Sequence, residues 1–279
     1  MYKSLGPGAI GVDVSLEKAA ELAAEYDFAG LQVNVNLLKE KGVAEVKKIY
    51  EKYDLKPGSF GLPVNIYASE EDFEKELSEL PEKAQMAKEL GCSRSSTYIF
   101  SFSDERDYKE NFQYHVERIN PAAEILENNN IRLGLEFLGP LTLREGHDYE
   151  FIHTIEGMLE LTSAVKTDNM GLLLDAYHWY TAGEDINSLK SLKNKDIVDV
   201  HVNDAPAGVP VSEQKDGVRR LPAETGVIKL DVFMSHLKEI DYDGPVMTEP
   251  FSNEVNEMEP EEAVKVTSEA MDKIWEFIS

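Results

Sequence analysis

The sequence is poor in cysteine, in positive charge and in long apolar runs, and each shortage narrows what the chain can be. A single cysteine, Cys92, excludes an internal disulfide framework and fits a reducing compartment, so a cytoplasmic location is expected. With 28 basic residues against 53 acidic ones, the formal net charge is -25. Such a field repels a phosphate backbone or an anionic bilayer, which argues against nucleic acid and membrane surfaces as partners. No stretch approaches the roughly 18 apolar residues of a membrane span. The N-terminal MYKSLGPGAIGVDVS has no apolar h-region, so secretion is not predicted. The glycine-rich GPGAIG lacks the G-x-G-x-x-G spacing of a dinucleotide-binding turn and reads as strand and turn. No linker, low-complexity tract or short-period repeat is present.

What is present suffices for one large core. The chain has 279 residues, 42% of them hydrophobic, and residues 1–279 read as a single domain. Short apolar or β-branched runs alternate with longer helix-periodic runs about eight times, the pattern of parallel strands joined by helical crossovers. The predicted strands are GAIGV (8–12), GLQVNV (30–35), KPGSFGL (56–62), SSTYIF (95–100), RLGLEFL (132–138), MGLLLDA (170–176), DIVDVHVN (196–203) and PVMTEPF (245–251). Amphipathic segments such as SLEKAAELAAEYD and VFMSHLKEID lie between strands, several opened by Ser or Asp in the N-cap position. Eight such units predict an α/β fold of the (β/α)8 TIM barrel type. One connection, DAPAGVPVSEQKDGVRRLPAETGVIKL, is long enough to be a lid or binding loop.

The ends of the last four strands carry the chemistry. Strand side chains alternate between lumen and helix layer, and barrel sites sit at the C-terminal mouth. In VDVHVN the alternation puts Val198, Val200 and Val202 toward the helices and Asp199, His201 and Asn203 toward the lumen. The same parity sends Glu136, Asp175 and Glu249 inward at the ends of their own strands. Any one of these is an ordinary strand-end polar group when taken alone. Four on consecutive strands, all of one parity, make a site. Three unpaired carboxylates together repel, and a divalent cation is the natural compensation. The mostly oxygen set prefers Mn²⁺, Mg²⁺ or Co²⁺. Such a cation can polarise the carbonyl of a hydroxy-ketone and lower the cost of an enediolate, while neighbouring carboxylates move a carbon-bound proton. His178, three residues after Asp175, reads either as a substrate contact or as a packing residue of YHWY. Of the adjacent Arg219 and Arg220, one is expected to face solvent. Glu145 and His147 read as solvated loop residues, and His115, His153 and His236 as packing or surface residues within helical patterns.

The segments LGLEFLGP, GLLLDAYHWY, VHVNDAP, RRLPAETGVIKL and VMTEPF resemble the xylose isomerase-like TIM barrel superfamily. The kinship is with proteins labelled sugar phosphate isomerase/epimerase, alongside ketose 3-epimerases and inosose dehydratases. It is strong from about residue 130 onward and architectural before that. The resemblance implies a sugar isomerase or epimerase in which Glu136, Asp175, His201 and Glu249 bind one Mn²⁺ or similar ion. It further implies that Glu136 and Glu249 exchange the substrate proton on opposite faces, while His178 and Arg219 hold substrate oxygens. The chain departs from the family pattern where the usual glycine after the loop proline is Ala223, and where a frequent aspartate is Lys229. Alternatives are a lyase or dehydratase on the same barrel (inosose dehydratase-like or C-glycoside-cleaving), a phosphodiesterase resembling endonuclease IV, and a non-catalytic sugar-binding module. The implied partner is a small sugar, phosphorylated or not. The oligomeric state is left open, barrels of this kind often pairing as homo-oligomers.

The charge excess itself generates a prediction. A folded chain of charge -25 repels itself, and salt screens that repulsion as the Debye length falls from roughly 30 Å at about 0.01 M to roughly 3 Å at about 1 M. Thermal melting followed by circular dichroism should therefore show Tm rising across this range. A flat or falling Tm would remove the acidic surface from the stability balance.

Overall fold

In the computed structural model, which describes residues 1–279, eight parallel staves close into a barrel. The strands are β1 (Tyr2–Leu5), β2 (Gly30–Leu31), β3 (Lys56–Pro57), β4 (Phe60–Gly61), β5 (Arg94–Ile99), β6 (Phe102–Ser103), β7 (Arg132–Phe137), β8 (Tyr149–Glu150), β9 (Met170–Asp175), β10 (Ile197–His201) and β11 (Pro245–Met247). Nine form one sheet in the order β3-β2-β1-β11-β10-β9-β7-β5-β4, and β6 pairs with β8 in a separate antiparallel ribbon. The two ends of the sheet, β3 and β4, are halves of a single segment interrupted at Gly58 and Ser59. The sheet therefore meets itself. Gly58 N–H donates to Leu31 O at 2.8 Å and Val33 N–H to Ser59 O at 3.0 Å, while Leu62 N–H donates to Ser96 O at 2.8 Å on the other side. Close approach requires the glycine, because a Cβ there would lie 2.7 Å from Ser4 Oγ. The buried Cys92 thiol donates to Gly58 O at 3.0 Å, and burial pushes its pKa up to about 12. It is a packing group at the seam, not a reactive thiol.

The first stave is Tyr2–Leu5, not the expected 8–12. Residues Pro7–Ile10 form a 3₁₀ turn, opened by Pro7 and closed by Gly11 at φ 71. Proline suits the first position of such a turn, and Gly11 takes the left-handed conformation that ends it. The true strand was disguised by Lys3 and Ser4. Lys3 is tied to Asp272 of the C-terminal helix, and Leu5 joins the core. The predicted strand 30–35 keeps only Gly30–Leu31, because Asn34 accepts from Asn36 and Leu37 N–H at 3.0 and 3.2 Å and starts the helix Val35–Lys41. The strands predicted from 95 onward are present, trimmed mainly at their C-terminal ends. A bulge between Ile197 and Asp199 also overrides the expected alternation at Val198. Val198 packs against Gly134 and Gly171 of the neighbouring staves, where an added Cβ would lie 3.1 and 2.9 Å from it.

The helices form the outer layer for the reason their periodicity suggests. Leu16–Glu25, capped by Ser15, buries Ala19, Ala20, Leu22 and Ala23, and Tyr108–Glu127 opens on a capping box between Asp107 and Glu110. Sixty-two buried residues make one continuous apolar core. No helix is long and apolar enough to cross a membrane.

His115 lies in this layer, buried in the helix Tyr108–Glu127. Its Nδ1 donates to Asn111 O at 2.7 Å and its Nε2 meets the Tyr67 hydroxyl at 3.2 Å. Burial, the largest cause, lowers its pKa from 6.5 to about 4. The unfolded chain takes up this proton below about 6.5, whereas the folded chain refuses it until about 4. Its contribution to stability is therefore full above the upper value and is lost as pH falls through that window. Urea unfolding at pH 7 and pH 4.5 should show wild type losing about 2 kcal/mol more than His115→Gln, at about 1.4 kcal/mol per pH unit. Equal losses in the two proteins would mean that His115 titrates normally.

Candidate active site

The barrel register brings the strand ends together. His201 pairs with Asp175 across β10 and β9 and with Met247 across β10 and β11, two residues before Glu249. Glu136 is the penultimate residue of β7, level with Tyr98 of β5. Their polar atoms converge: His201 Nδ1 lies 3.9 Å from Glu136 Oε1, 3.9 Å from Asp175 Oδ2 and 3.7 Å from Glu249 Oε2. Two of these atoms, Glu136 Oε1 and His201 Nδ1, are buried without any hydrogen-bond partner. The separations are too long for hydrogen bonds, yet two ligands each about 2.1 Å from one ion can stand up to about 4.2 Å apart. The donor set therefore fits a divalent cation. Ligand atoms of Asp175, His201 and Glu249 lie within 4.8 Å of one another, as do those of Glu136, Asp175 and His178, so His178 stands near the same point.

Four carboxylates share this space with one guanidinium. Arg219 is 1% exposed and reaches Asp175 Oδ2 at 2.9 Å, Asp216 Oδ1 at 2.8 Å and Glu249 Oε2 at 3.7 Å. Its ring-stacked position over Tyr177 and Phe251, 4.8 and 4.6 Å from their centroids, adds cation–π contacts on both sides. Burial alone would discharge it, but Asp175, Asp216 and Glu249 outweigh burial and hold it charged. Burial likewise favours the neutral form of Asp175, and Arg219, helped by the hydrogen bond from Tyr177 N–H, reverses this, leaving Asp175 below the usual carboxylate range. Glu136 has no such partner. Burial first, and then the charges of Asp175 and Glu249, push its carboxyl well above the ordinary range, and burial also raises Glu249.

His178 is fully buried in the helix Ala176–Thr181, which Asp175 caps by accepting from Tyr177 N–H at 2.6 Å. Burial, then Arg219, lowers its pKa to about 4, so the imidazole is neutral. Gly139 N–H faces its Nδ1 at 3.1 Å and Arg219 Nη2 faces its Nε2 at 3.1 Å, so each ring nitrogen meets a donor and either neutral tautomer accepts only one of the two. Nε2 also lies 3.7 Å from Glu136 Oε1 and 3.6 Å from Asp216 Oδ1. His178 thus aims Nε2 into the site. Arg220, in contrast, points outward with 37% of its side chain exposed.

Several supporting residues were not singled out by sequence reasoning. Asp216 lies on the long loop and lines the site. Gly139 sits so close to His178 that a Cβ would fall 2.2 Å from His178 O. Asn203 bridges two staves, donating to Asp175 Oδ2 at 3.3 Å and accepting from Glu249 N–H at 2.8 Å and Thr248 Oγ1 at 3.0 Å. The buried Asp204 accepts from Thr225, Gly226 and Ile228 N–H at 2.9, 2.7 and 3.0 Å, tying the far end of the loop to β10. The only available signals were Asp216 three residues before Arg219, and Asn203 and Asp204 following a strand. The remaining sequence candidates lie apart. Asp199 sits lower in the lumen beside Ser96, and His147 pairs with Asp104 at 2.9 Å and stacks on Phe102. His153 lies in the turn before the helix Ile155–Ala164, where its Nδ1 meets Phe151 O at 2.8 Å. Glu136, His178, His201, Asp216, Arg219 and Glu249 line a cavity of about 420 Å³ together with Tyr98, Phe100 and Phe251.

Comparison with known proteins agrees with this geometry. The family model described as xylose isomerase-like TIM barrel matches residues 20–274. An inosose isomerase of Bacillus velezensis is 24% identical over 270 residues, covering 93% of this chain and 92% of that protein. The structure of a xylose isomerase domain protein from Alicyclobacillus acidocaldarius superposes with a TM-score of 0.88 at 29% identity, covering 99% of both chains. The IolI protein, solved with a binding zinc atom, superposes with a TM-score of 0.82 at 23% identity over 98% of each chain.

Ala223, where the family resemblance implies a glycine, has φ 56. The backbone keeps the left-handed conformation although the residue is alanine, at a cost of roughly 1–2 kcal/mol set against glycine's greater unfolded-state freedom. Ala223→Gly should therefore raise stability by about 0.5–1 kcal/mol. Denaturant titration checks this, and a lower midpoint for the glycine variant would contradict it.

Proposed function

Because this chain belongs to the xylose isomerase-like TIM barrel family, we propose that it is a divalent-metal-dependent isomerase or epimerase of a small polyhydroxy ketone or aldose. The metal ligands are Glu136, Asp175, His201 and Glu249, and residues 1–279 act as one catalytic domain in the cytoplasm. The observation that carries the reading is the pair of glutamates flanking His201, their carboxylates 3.9 and 3.7 Å from its Nδ1. Two carboxylates beside one point are what taking a proton from one carbon and returning one requires. The name of the Bacillus velezensis relative, an inosose isomerase, supports a polyhydroxy ketone as substrate class.

A bound Mn²⁺, Mg²⁺, Co²⁺ or Zn²⁺ supplies Lewis-acid polarisation of the substrate carbonyl. The chain's own groups do the rest. One glutamate removes the proton from the carbon beside the carbonyl, and the other returns a proton, to the opposite face in an epimerase or to the neighbouring carbon in an isomerase. His178 presents Nε2 to a substrate oxygen, with Gly139 N–H against its Nδ1. Arg219, whose N–H groups are held by Asp175, Asp216 and His178, fixes a positive charge beside that oxygen. Tyr98, Phe100 and Phe251 give the sugar an apolar wall and limit water around the reacting carbon.

The test is Glu249→Gln, which removes a base but keeps shape and one oxygen ligand. Calorimetric titration of the chelator-stripped protein should show one divalent ion per chain in wild type and weaker binding in the variant. With the variant saturated in Mn²⁺, conversion of a panel of ketoses and inososes in D₂O should fall at least about 10²-fold. Sugar binding should largely survive. Turnover at the wild-type rate would make Glu249 at most a ligand and end the two-glutamate mechanism, whereas an absence of metal binding in wild type would end the metal reading itself.

A further inference from the structure

A second cavity, of about 510 Å³, opens beside the active site and shares Thr97 and Tyr98 with it. Small-molecule sites run from about 300 to 1,000 Å³, so each cavity is large enough to hold one unit of a ligand. Walls of the second come from the segment after β4 and from the helix Glu70–Leu90. Its polar groups are those of Asn36, Asn65, Lys75, Glu76, Glu79 and Lys83. Two ammonium groups against two carboxylates leave no net charge. Lys83, only 8% exposed, lies 3.1 Å from Glu79, and Glu76 accepts from Asn65 N–H at 2.7 Å. A phosphate site concentrates positive charge and forked donors. This cavity instead mixes donors and acceptors, as a neutral ring bearing hydroxyls requires.

Tyr98 stands between the two spaces. It is level with Glu136 in the β5–β7 register, so its ring rises from the lumen wall next to one of the reacting carboxylates. Nevertheless it is 45% exposed, with its ring centroid 6.3 Å from Tyr67 and 5.2 Å from Phe100. Its hydroxyl bonds to no protein group, in contrast to that of Tyr67, which accepts from Phe100 N–H at 2.8 Å. A large, half-exposed aromatic with a free polar tip in a cleft is the usual form of a ligand platform.

We propose that the second cavity is a subsite for a second, uncharged, hydroxyl-rich ring, joined to the ring held over Glu136 and Glu249, with Tyr98 as the platform between them. The substrate class is then a glycosylated keto-sugar. The assignment rests on the sugar reading given above. Calorimetry of the metal-loaded protein with fructose, isomaltulose, lactulose and turanose tests it. At least one disaccharide should bind 10-fold or more tightly than fructose. Lys83→Met and Asn36→Ala, neither in the catalytic cluster, should each erode that advantage while fructose binding and its deuterium exchange stay at wild-type levels. Asn36→Ala changes an exposed side chain and carries the test if Lys83→Met fails to fold. If no disaccharide exceeds fructose while fructose still exchanges deuterium, the subsite is wrong and the sugar reading stands. If no sugar binds or exchanges, both fall. Binding of inorganic phosphate that Lys83→Met abolishes would also overturn the assignment, since the cavity would then be an anion site.

Discussion

The structure turns on a buried charge imbalance at the mouth of the barrel. Arg219 is surrounded by Asp175, Asp216 and Glu249, with Glu136 behind them. Breaking a buried pair of the Arg219–Asp175 kind costs about 3–5 kcal/mol, because the orphaned charge has no water to return to. The guanidinium therefore cannot leave, and the loop that carries it is fixed to the barrel. One positive charge does not balance four acids, however. The excess appears as a raised Glu136 and as two buried atoms, Glu136 Oε1 and His201 Nδ1, that face each other without a bond. A site left in that condition has the excess of negative charge that the proposed divalent cation would compensate.

Barrel closure is what lets strand ends separated by more than a hundred residues act on one another. The seam is narrow: β2, β3, β4 and β11 have two or three residues each, and the third stave is broken at Gly58 and Ser59. Glycine makes the tight approaches feasible. A Cβ at Gly6 would strike Met247 Sδ at 2.2 Å, and one at Gly139 would strike the backbone of His178. These positions set how closely β1 approaches β11 and how closely the loop after β7 approaches the His178 helix. The first holds the stave that leads to Glu249, and the second brings Gly139 N–H against His178 Nδ1.

Legibility in the sequence followed the periodicity of the strands. β7, β9 and β10 are five or six residues long and strongly apolar on the helix side, so Glu136, Asp175 and His201 stood out as inward-facing strand ends, and Glu249 followed from the same parity beyond β11. Where alternation broke, so did the reading. The bulge at β10 moved Val198, and Lys3 and Ser4 hid a four-residue strand whose identity depends on Asp272, some 270 positions away. Asp216, Gly139 and Asp204 could not be read from local pattern at all, and Asn203 was legible only as facing the lumen. Their roles come from distances between loops, and no period in the sequence encodes those.

The long connection after β10 reads in the sequence as a lid or a binding loop, and its contacts describe a fixed wall. Asp204 gathers three amide N–H groups from the far end of the loop, and Arg220 and Asp204 exchange backbone bonds at 2.8 and 2.9 Å. Gln214 donates to Pro206 and Val209 carbonyls, and Tyr177 donates to Lys215 O at 2.7 Å. Every one of these bonds would have to break for the loop to swing as a body, and Arg219 would have to abandon Asp175 as well. Arg219 and His178 are therefore already in place before substrate arrives. On this view the alanine at position 223 changes the cost of the loop, not its course: the backbone retains the left-handed turn that a glycine would adopt freely. The fixed wall shares its cavity with Tyr98, Phe100 and Phe251, the last stacked on Arg219 and so part of the wall itself.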